Sequence, residues 1–423
     1  MFRRAVCGLV GLGLVCGSAT SSWGMELFND QKIDSLLERL EKKGVLSAEE
    51  VKEVKAEDKK KQKEHSINAG VRLQLRYEYQ DTESREKTSD LNIRRLRFQL
   101  DGSMWSDIDY KFEIAMDKLE DLSMKDASLT FKHLGPYAHL RVGQFKTPFS
   151  RQRITSSSKL QMIDRSPIEV LYPGRDTGFE LSGKNILGVL DYAVAAEAGV
   201  GDKRKFAKSD NSSWWYDGRV AFHPLGEVPM SEGEYTENFV VEIAANGLYA
   251  PDQIAFGENS VNKMFQADKV YTAQKGLLDD IDHGKASFSD ITKKAPGLVG
   301  DTTIWGPELT ISWKRLSLAG EYYKATYRPG DTGAFRKLES EGYFVQGGVF
   351  VIPKILQLTG RFDRLDRNTK EKTQDDFRQY IAGINYFPYG DHRYKVQANY
   401  VWRREDKDQI DNDSVVLNLQ VSY

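Results

Sequence analysis

Polar and apolar side chains alternate along most of the chain, from Ser66 to the final residue, Tyr423. The first such segment places apolar residues at every second position: Ile67, Ala69, Val71, Leu73, Leu75, Tyr77 and Tyr79. Successive side chains of a β-strand point to opposite faces, so this segment predicts a strand with one apolar and one polar face. The pattern recurs and predicts 16 strands, starting near residues 66, 91, 108, 125, 138, 176, 190, 214, 238, 304, 316, 342, 355, 376, 393 and 413.

The predicted connections alternate in length. Short turns, for example at Ser106-Asp107, Gly135-Pro136 and Lys314-Arg315, are separated by long stretches such as 146–175 and 250–303. An even number of strands, with short turns at one end and long loops at the other, is typical of an outer-membrane barrel. We therefore predict an all-β fold, a 16-stranded antiparallel transmembrane β-barrel over 66–423, in the outer membrane of a Gram-negative-type bacterium with both termini periplasmic. A soluble β-sandwich would also alternate, but it gives no reason for the alternating loop lengths.

The first 24 residues have the order of an export signal. Arg3 and Arg4 precede an apolar run, and small residues around Gly24 offer a cleavage site. We predict a signal peptide over 1–24. Cys7 and Cys16 both lie in it, so the predicted mature chain has no cysteine for a disulfide or a metal site.

Residues 25–65 show a different period. Ile33, Leu36, Leu37 and Leu40 recur at helical spacing, and Ser47 with Glu50 has the spacing of a capping box. This predicts a periplasmic helical segment. Its narrow apolar stripe suits either a short coiled coil between subunits or a solvated tether, and the sequence leaves both open.

Composition removes some classes of protein. The 423 residues carry a formal net charge of −2, so no overall field favours nucleic acid. Charged residues make up 29% of the chain and the mean hydropathy is −0.55. A membrane barrel accommodates such values, because only every second residue of a strand meets lipid.

One stretch resembles a known family. It contains LNIRRLRFQLDGSM, DYKFEIAMD, KDASLTFKHL, LRVGQFKTPFS and PGRDTGFELSG, in that order, between residues 91 and 183. This succession resembles the phosphate-selective porin O and P family. The resemblance implies a homotrimeric, 16-stranded anion channel in which the third external loop, here 146–175, folds into the lumen and narrows it.

The candidate anion site combines this loop with strand 2. The loop carries six basic and two acidic residues, and arginine suits phosphate oxygens because its planar fork can donate two hydrogen bonds. On strand 2, Arg95 and Arg97 share the polar face, whereas Arg94 needs a bulge to turn inward; the family's tandem-arginine strand implies a role for it as well. The predicted pore-lining residues are Arg94, Arg95, Arg97, Arg141, Lys146, Arg151, Arg153, Arg165 and Arg175. The alternative is a solvated loop whose charges pair with carboxylates elsewhere.

Two other classes compete with a channel: an outer-membrane barrel enzyme and an adhesion or structural barrel. The six histidines show no spacing typical of a catalytic or metal site, and no glycine-rich phosphate loop is recognisable, so we predict no catalytic residue and no cofactor. An adhesin would use the long stretch 250–303 to bind a surface partner. The expected partners of a channel are outer-membrane lipid, further copies of the chain and small anions such as phosphate.

Overall fold

The computed structural model describes most of the chain after residue 64. The described residues are 41–42, 47, 51, 65–82, 87–117, 122–135, 137–199, 214–253, 264–266, 270–276, 280, 293–370, 376–406 and 410–423. Residues 1–66 form one unit and residues 67–423 another. The predicted signal peptide and nearly all of the predicted helical segment lie outside the described residues. Within that segment Glu41, Lys42 and Val51 are helical, and the Val51 N–H donates to the Ser47 carbonyl at 3.0 Å.

Sixteen antiparallel strands form one closed barrel, each paired with its neighbours in sequence and β1 with β16. They are β1 Ser66–Thr82, β2 Thr88–Met104, β3 Ile108–Ala115, β4 Ser123–Phe131, β5 His139–Lys146, β6 Arg175–Ile186, β7 Leu190–Glu197, β8 Trp215–Phe222, β9 Thr236–Gln253, β10 Gly300–Lys314, β11 Leu316–Pro329, β12 Leu338–Ile352, β13 Leu356–Asp366, β14 Phe377–Tyr386, β15 Tyr394–Glu405 and β16 Asp411–Ser422. The prediction of an all-β, 16-stranded barrel is confirmed.

The two faces of the strands differ in chemistry, as the alternation predicts. Outward positions are apolar and exposed, and on β16 they include Val415, Leu417, Leu419 and Val421. Inward positions on the same strand, such as Asn418 and Gln420, are polar and buried. An apolar outer surface around a polar lumen is the arrangement of a barrel surrounded by lipid. In the described part of the chain, no helix has the length and apolarity needed to cross a membrane.

Three strands extend further than the sequence indicated. The observed starts of β2, β10 and β12 are Thr88, Gly300 and Leu338, against predicted starts near 91, 304 and 342. The added residues are largely polar on both faces. Beyond the lipid-facing band the outward face meets water instead of lipid, so backbone pairing continues there without the apolar alternation that marks a strand in sequence.

We call the end of the barrel that carries Ser66 and Tyr423 the turn end, and the opposite end the loop end. Most connections at the turn end are short, as predicted, and β10 joins β11 through Arg315 alone. The connection 223–235 is longer than the pattern indicated. Its role becomes clear from its contacts with the loop 147–174, described below.

Gly143 of β5 has a local backbone requirement. Its φ is +121°, and a Cβ atom there would lie 2.2 Å from the Ala127 carbonyl oxygen of β4. A side chain therefore fits neither the dihedral nor the spacing between the strands. Glycine lets β4 and β5 pair closely just below the point where the loop 147–174 leaves β5.

Candidate functional site

The connection 147–174 between β5 and β6 lies inside the barrel. It leaves β5 at the loop end and begins with the four-residue helix Arg151–Ile154. It reaches the turn end near Lys159, where its carbonyl accepts a hydrogen bond from Glu232 N–H at 2.8 Å. It returns through the 3-10 helix Pro167–Leu171 to β6. We call residues 147–174 the inner loop.

Carboxylates on β9, β10 and β11, which we call the far wall, bind the first part of the inner loop, around Ser150 to Gln152. The Glu321 side chain of β11 accepts hydrogen bonds from Ser150 Oγ and Gln152 N–H, both at 2.7 Å. The Glu308 carboxylate of β10 accepts from Arg151 N–H at 2.8 Å. Backbone donors at the start of a helix are otherwise unpaired, so these buried carboxylates fix both the position and the direction of this part of the loop.

Arg151 is the one predicted pore-lining residue that takes a different place. Its side chain points to the far wall, where Nη1 donates to Glu242 Oε1 at 2.7 Å and Nη2 donates to the Val228 and Pro229 carbonyls. It is 6% exposed. The basic pattern of the loop predicts a place in the pore for Arg151, but a buried carboxylate pairs with it, so it anchors the loop to the wall.

The tip of the inner loop is held from the turn end. The Glu232 carboxylate, in the long connection 223–235, accepts from Gln161 N–H at 2.9 Å. The Gln161 carbonyl accepts from Asn385 and Gln397 at 2.8 and 3.1 Å. Gln420 of β16 donates to the Ser158 carbonyl at 3.0 Å. The unexpected length of 223–235 therefore provides a support for the loop tip.

An apolar cluster fills the loop end on the side of β8–β14. Phe149 and Tyr172 of the inner loop pack against Tyr323 of β11, with ring centroids 5.2 and 5.1 Å from it. Residues from the connection 254–299 cover them. The cluster, which we call the apolar plug, includes Phe149, Ile168, Leu171, Tyr172, Leu248, Met264, Phe265, Tyr271, Leu298, Ile304, Tyr323, Tyr327 and Phe344. It leaves open the side formed by β1–β6.

A cavity of about 510 Å³ lies between the inner loop and β1–β6. Twelve basic and four acidic side chains line it, which gives a net formal charge of +8 in a chain whose total is −2. The basic residues are Arg72, Arg94, Arg95, Arg97, Lys111, Lys125, Arg141, Lys146, Arg153, Lys159, Arg165 and Arg175, and the acidic ones are Glu113, Asp117, Asp126 and Glu169. We call it the basic cavity.

Part of this charge is neutralised by ion pairs within the wall. Arg97 contacts Glu113 and Asp117 at 3.0 and 2.8 Å. Asp126 pairs with Arg175 at 2.6 Å and with Lys111 at 3.0 Å. Further pairs join Arg141 to Glu180 and Arg153 to Glu169. These pairs support the wall, and such neutral pairs contribute little net field to the lumen.

Six other cations in the cavity have no carboxylate partner among the described residues: Arg72, Arg94, Arg95, Lys146, Lys159 and Arg165. Hydroxyl, amide and carbonyl oxygens orient four of them. Arg72 donates to Ser156 Oγ and Ser157 Oγ at 3.0 and 3.1 Å, and Arg95 to Gln74 Oε1 at 2.8 Å. Such neutral acceptors hold a cation in place without forming an ion pair with it.

Lys146 and Arg165 bind the loop backbone. Lys146 Nζ donates to the Ile154 and Thr155 carbonyls, and Arg165 donates to the Gln152 and Thr155 carbonyls at 2.9 and 2.7 Å. Burial lowers the pKa of Arg165 to about 10, which leaves the guanidinium charged at neutral pH. Both side chains thus fix the fold of the inner loop, and Arg165 also places a positive charge beside the cavity.

The structure brings eight of the nine predicted residues to one cavity. Arg94, Arg95, Arg97, Arg141, Lys146, Arg153, Arg165 and Arg175 all line it. Arg94 does so although strict alternation puts it on the outer phase. Four further basic residues line the cavity that were not among the predicted pore-lining residues: Arg72, Lys111, Lys125 and Lys159. Lys125 lies where the register of β3 and β4 shifts between Glu113 and Ile114, and such a bulge is not visible in the sequence.

A closed barrel with an apolar outer face, a polar lumen and a loop folded into that lumen defines a porin. The chain belongs to the family described as phosphate-selective porin O and P, whose model matches residues 67–266 and 287–423. It is also 24% identical, over 92% of its length and 94% of the relative's, to an uncharacterized protein of Aquifex aeolicus.

Solved structures share the fold. An anion-selective porin from Comamonas acidovorans is similar with a TM-score of 0.57 at 10% identity, over 85% of this chain and 100% of that one. The outer membrane channel DcaP of Acinetobacter baumannii is similar with a TM-score of 0.52 at 12% identity, over 85% of this chain and 97% of that one. Family and fold together make this protein an outer-membrane channel rather than an enzyme.

Proposed function

We propose that the protein is a water-filled, anion-preferring channel that conducts through the basic cavity and that it selects phosphate or polyphosphate. The observation that carries the proposal is a set of six cations that have no carboxylate partner in the part of the chain that the structure describes. They lie on the side of the lumen that the apolar plug leaves open. The neighbouring ion pairs in the wall are balanced in charge, so the six cations determine the sign of the electric field in the basic cavity, which is positive.

The physical basis is exchange of hydration for protein contacts. An anion that enters a narrow passage loses part of its water shell, and a series of cations can replace it while no single site binds too tightly for release. Arg72 and Arg95 present planar guanidinium groups, which match the oxygens of phosphate, and Ser156 and Ser157 add hydroxyl donors beside them. The same groups attract chloride, but with less directional fit.

Competition between phosphate and chloride tests the phosphate claim. Inorganic phosphate at millimolar concentration should reduce the chloride current of single channels in planar bilayers, because phosphate occupies the arginine contacts longer than chloride does. Replacing Arg72 and Arg95 by lysine keeps the charge and removes the planar fork, so inhibition by phosphate should weaken about tenfold while the chloride current persists. Equal inhibition of the native and lysine channels would contradict selection of phosphate by these arginines.

We further propose that the channel is a homotrimer with both termini in the periplasm. One of the similar structures, OmpT of Vibrio cholerae, is described as a trimer form, with a TM-score of 0.51 at 10% identity over 84% of this chain and 99% of that one. The helical stripe in residues 25–65 would suit a coiled coil between the three chains. Light scattering of the detergent-purified protein should give the mass of three chains. A monomer mass would overturn the trimer.

A further inference from the structure

A second cavity, of about 400 Å³, lies at the turn end of the barrel. It is bounded by the tip of the inner loop and by the connections 223–235, 353–355 and 387–393. The lining residues that the argument uses most are Lys159, Tyr235, Phe350, Lys354, Phe387 and His392. Ser158 and Lys159 also line the basic cavity, so the two cavities adjoin at the loop tip. We call this second one the aromatic cavity.

Its aromatic side chains form a continuous row. Tyr235 contacts Phe350 edge to face at a centroid distance of 6.4 Å, Phe350 contacts Phe387 at 6.0 Å, and Phe387 contacts His392 at 5.1 Å. Phe350 lies on the inward phase of β12, where a membrane barrel normally carries polar residues, and Phe387 directly follows β14. They are separate from the apolar plug, which lies at the loop end. Phe350 and Phe387 are 5% and 3% exposed, and with the half-buried Tyr235 they form the apolar part of the cavity lining.

Cations stand beside this wall. Lys354 Nζ lies 5.2 Å from the centroid of the Tyr235 ring, and Lys159 is exposed at the junction of the two cavities. Arg393 and Asp391 form an ion pair at 2.7 Å, so their charges balance. Of the other charged residues in the lining, Glu234 is acidic and Lys354 and Lys159 are basic. Burial and the ammonium groups of Lys395 and Lys159 lower the pKa of His392 well below its usual range, so its ring is neutral at pH 7.

We propose that the aromatic cavity binds a small organic anion, with a planar apolar ring against Tyr235, Phe350 and Phe387 and a carboxylate or phosphate head at Lys354 and Lys159. The volume lies in the range of pockets that hold small ligands. The ring would stack on or meet the edges of the aromatic row, and the head would replace water at the two lysines. The inference rests on the proposed function in that the anion reaches this cavity through the basic one.

The affinity of such a site should separate aromatic from inorganic anions. Phenyl phosphate and inorganic phosphate carry the same phosphate head group, so a difference between their half-blocking concentrations measures the contribution of the phenyl ring. Burial of a benzene-sized surface should lower the half-blocking concentration of phenyl phosphate about tenfold relative to inorganic phosphate. The aromatic cavity lies at the turn end of the barrel, so the extra potency should be greater when the blocker is added on the turn-end side of the bilayer than on the loop-end side.

The experiment compares both blockers on single channels of the native protein and of two variants. Phe350→Leu with Phe387→Leu removes the rings and should bring the two half-blocking concentrations together. Phe362→Leu with Tyr380→Leu changes two residues whose tilted rings contact each other outside the lumen, with centroids 4.8 Å apart, and should leave the tenfold difference intact. Lys354→Gln should weaken block by phenyl phosphate from the same side.

Two results would overturn the inference. One is equal potency of the two blockers from both sides, and the other is an unchanged difference in the Phe350→Leu, Phe387→Leu channel. The anion preference of each channel, recorded in the same bilayers, separates this failure from failure of the proposed function. A channel that prefers anions but does not distinguish the blockers refutes the aromatic cavity alone.

Discussion

Neutralising Arg95 and Arg165 together lowers the anion preference of the channel about fivefold. Neither residue has a carboxylate partner among the described residues, so each loss removes an uncompensated charge from the basic cavity. A unit charge about 8 Å from an ion in water-like surroundings contributes about 0.5 kcal/mol, and two such charges give about fivefold in the permeability ratio. Reversal potentials of the Arg95→Gln, Arg165→Gln channel in a KCl gradient measure the change.

Two further channels control this experiment. Arg95→Lys with Arg165→Lys keeps the charge and should keep the anion preference, which separates charge from the hydrogen bonds of Arg165 to the loop backbone. Lys132→Gln with Lys337→Gln makes the same change in net charge at residues paired with Asp109 and Glu339, outside the basic cavity. Unchanged selectivity in the glutamine channel, or an equal loss in the Lys132 and Lys337 channel, would refute the assignment.

Releasing the inner loop should about double the single-channel conductance and reduce anion preference, because the passage then widens toward the far wall. Glu321→Ala removes the acceptor for Ser150 Oγ and Gln152 N–H, and Glu232→Ala removes the acceptor for Gln161 N–H. Each buried donor left without a partner destabilises the loop's position. The measurement is conductance of the double variant in symmetric KCl.

The matched control is Glu341→Ala. This carboxylate on β12 accepts a hydrogen bond from Tyr322 at 3.1 Å and has no hydrogen bond to the inner loop among the described residues. The conductance of the Glu341→Ala channel should equal that of the native protein. If the Glu321→Ala, Glu232→Ala channel also conducts like the native one, the carboxylates do not set the width of the passage.

The barrel was predictable because lipid imposes a rule on every strand. A residue such as Leu417 must be apolar and its neighbour Asn418 need not be, so alternation records the strand in the sequence. The rule stops where lipid stops, which is why the outer ends of β2, β10 and β12 were missed. The signal peptide and the coiled coil remain predictions, since the residues that would test them lie outside the described part of the chain.

The sequence predicted which residues form the site, but it did not predict whether each side chain points into the lumen or toward the wall. A basic loop and a tandem-arginine strand predict nine pore-lining residues, and eight of the nine line one cavity. Arg151 could not be separated from them, because the choice between lumen and wall depends on Glu242, 91 residues away in sequence. Glu308 and Glu321 look like any polar-face residues of a strand. Only folding brings them to the start of the inner loop, where they hold it.

The central claim is that the open side of the lumen carries an uncompensated positive field. The zero-current potential of the native protein in a planar bilayer, with KCl concentrated on one side, tests it most directly. We predict a zero-current potential whose sign shows that chloride permeates more readily than potassium. It should move toward zero as salt is raised on both sides, because ions screen the charges of the cavity. A potential of the sign set by potassium, or none at any salt concentration, would contradict it.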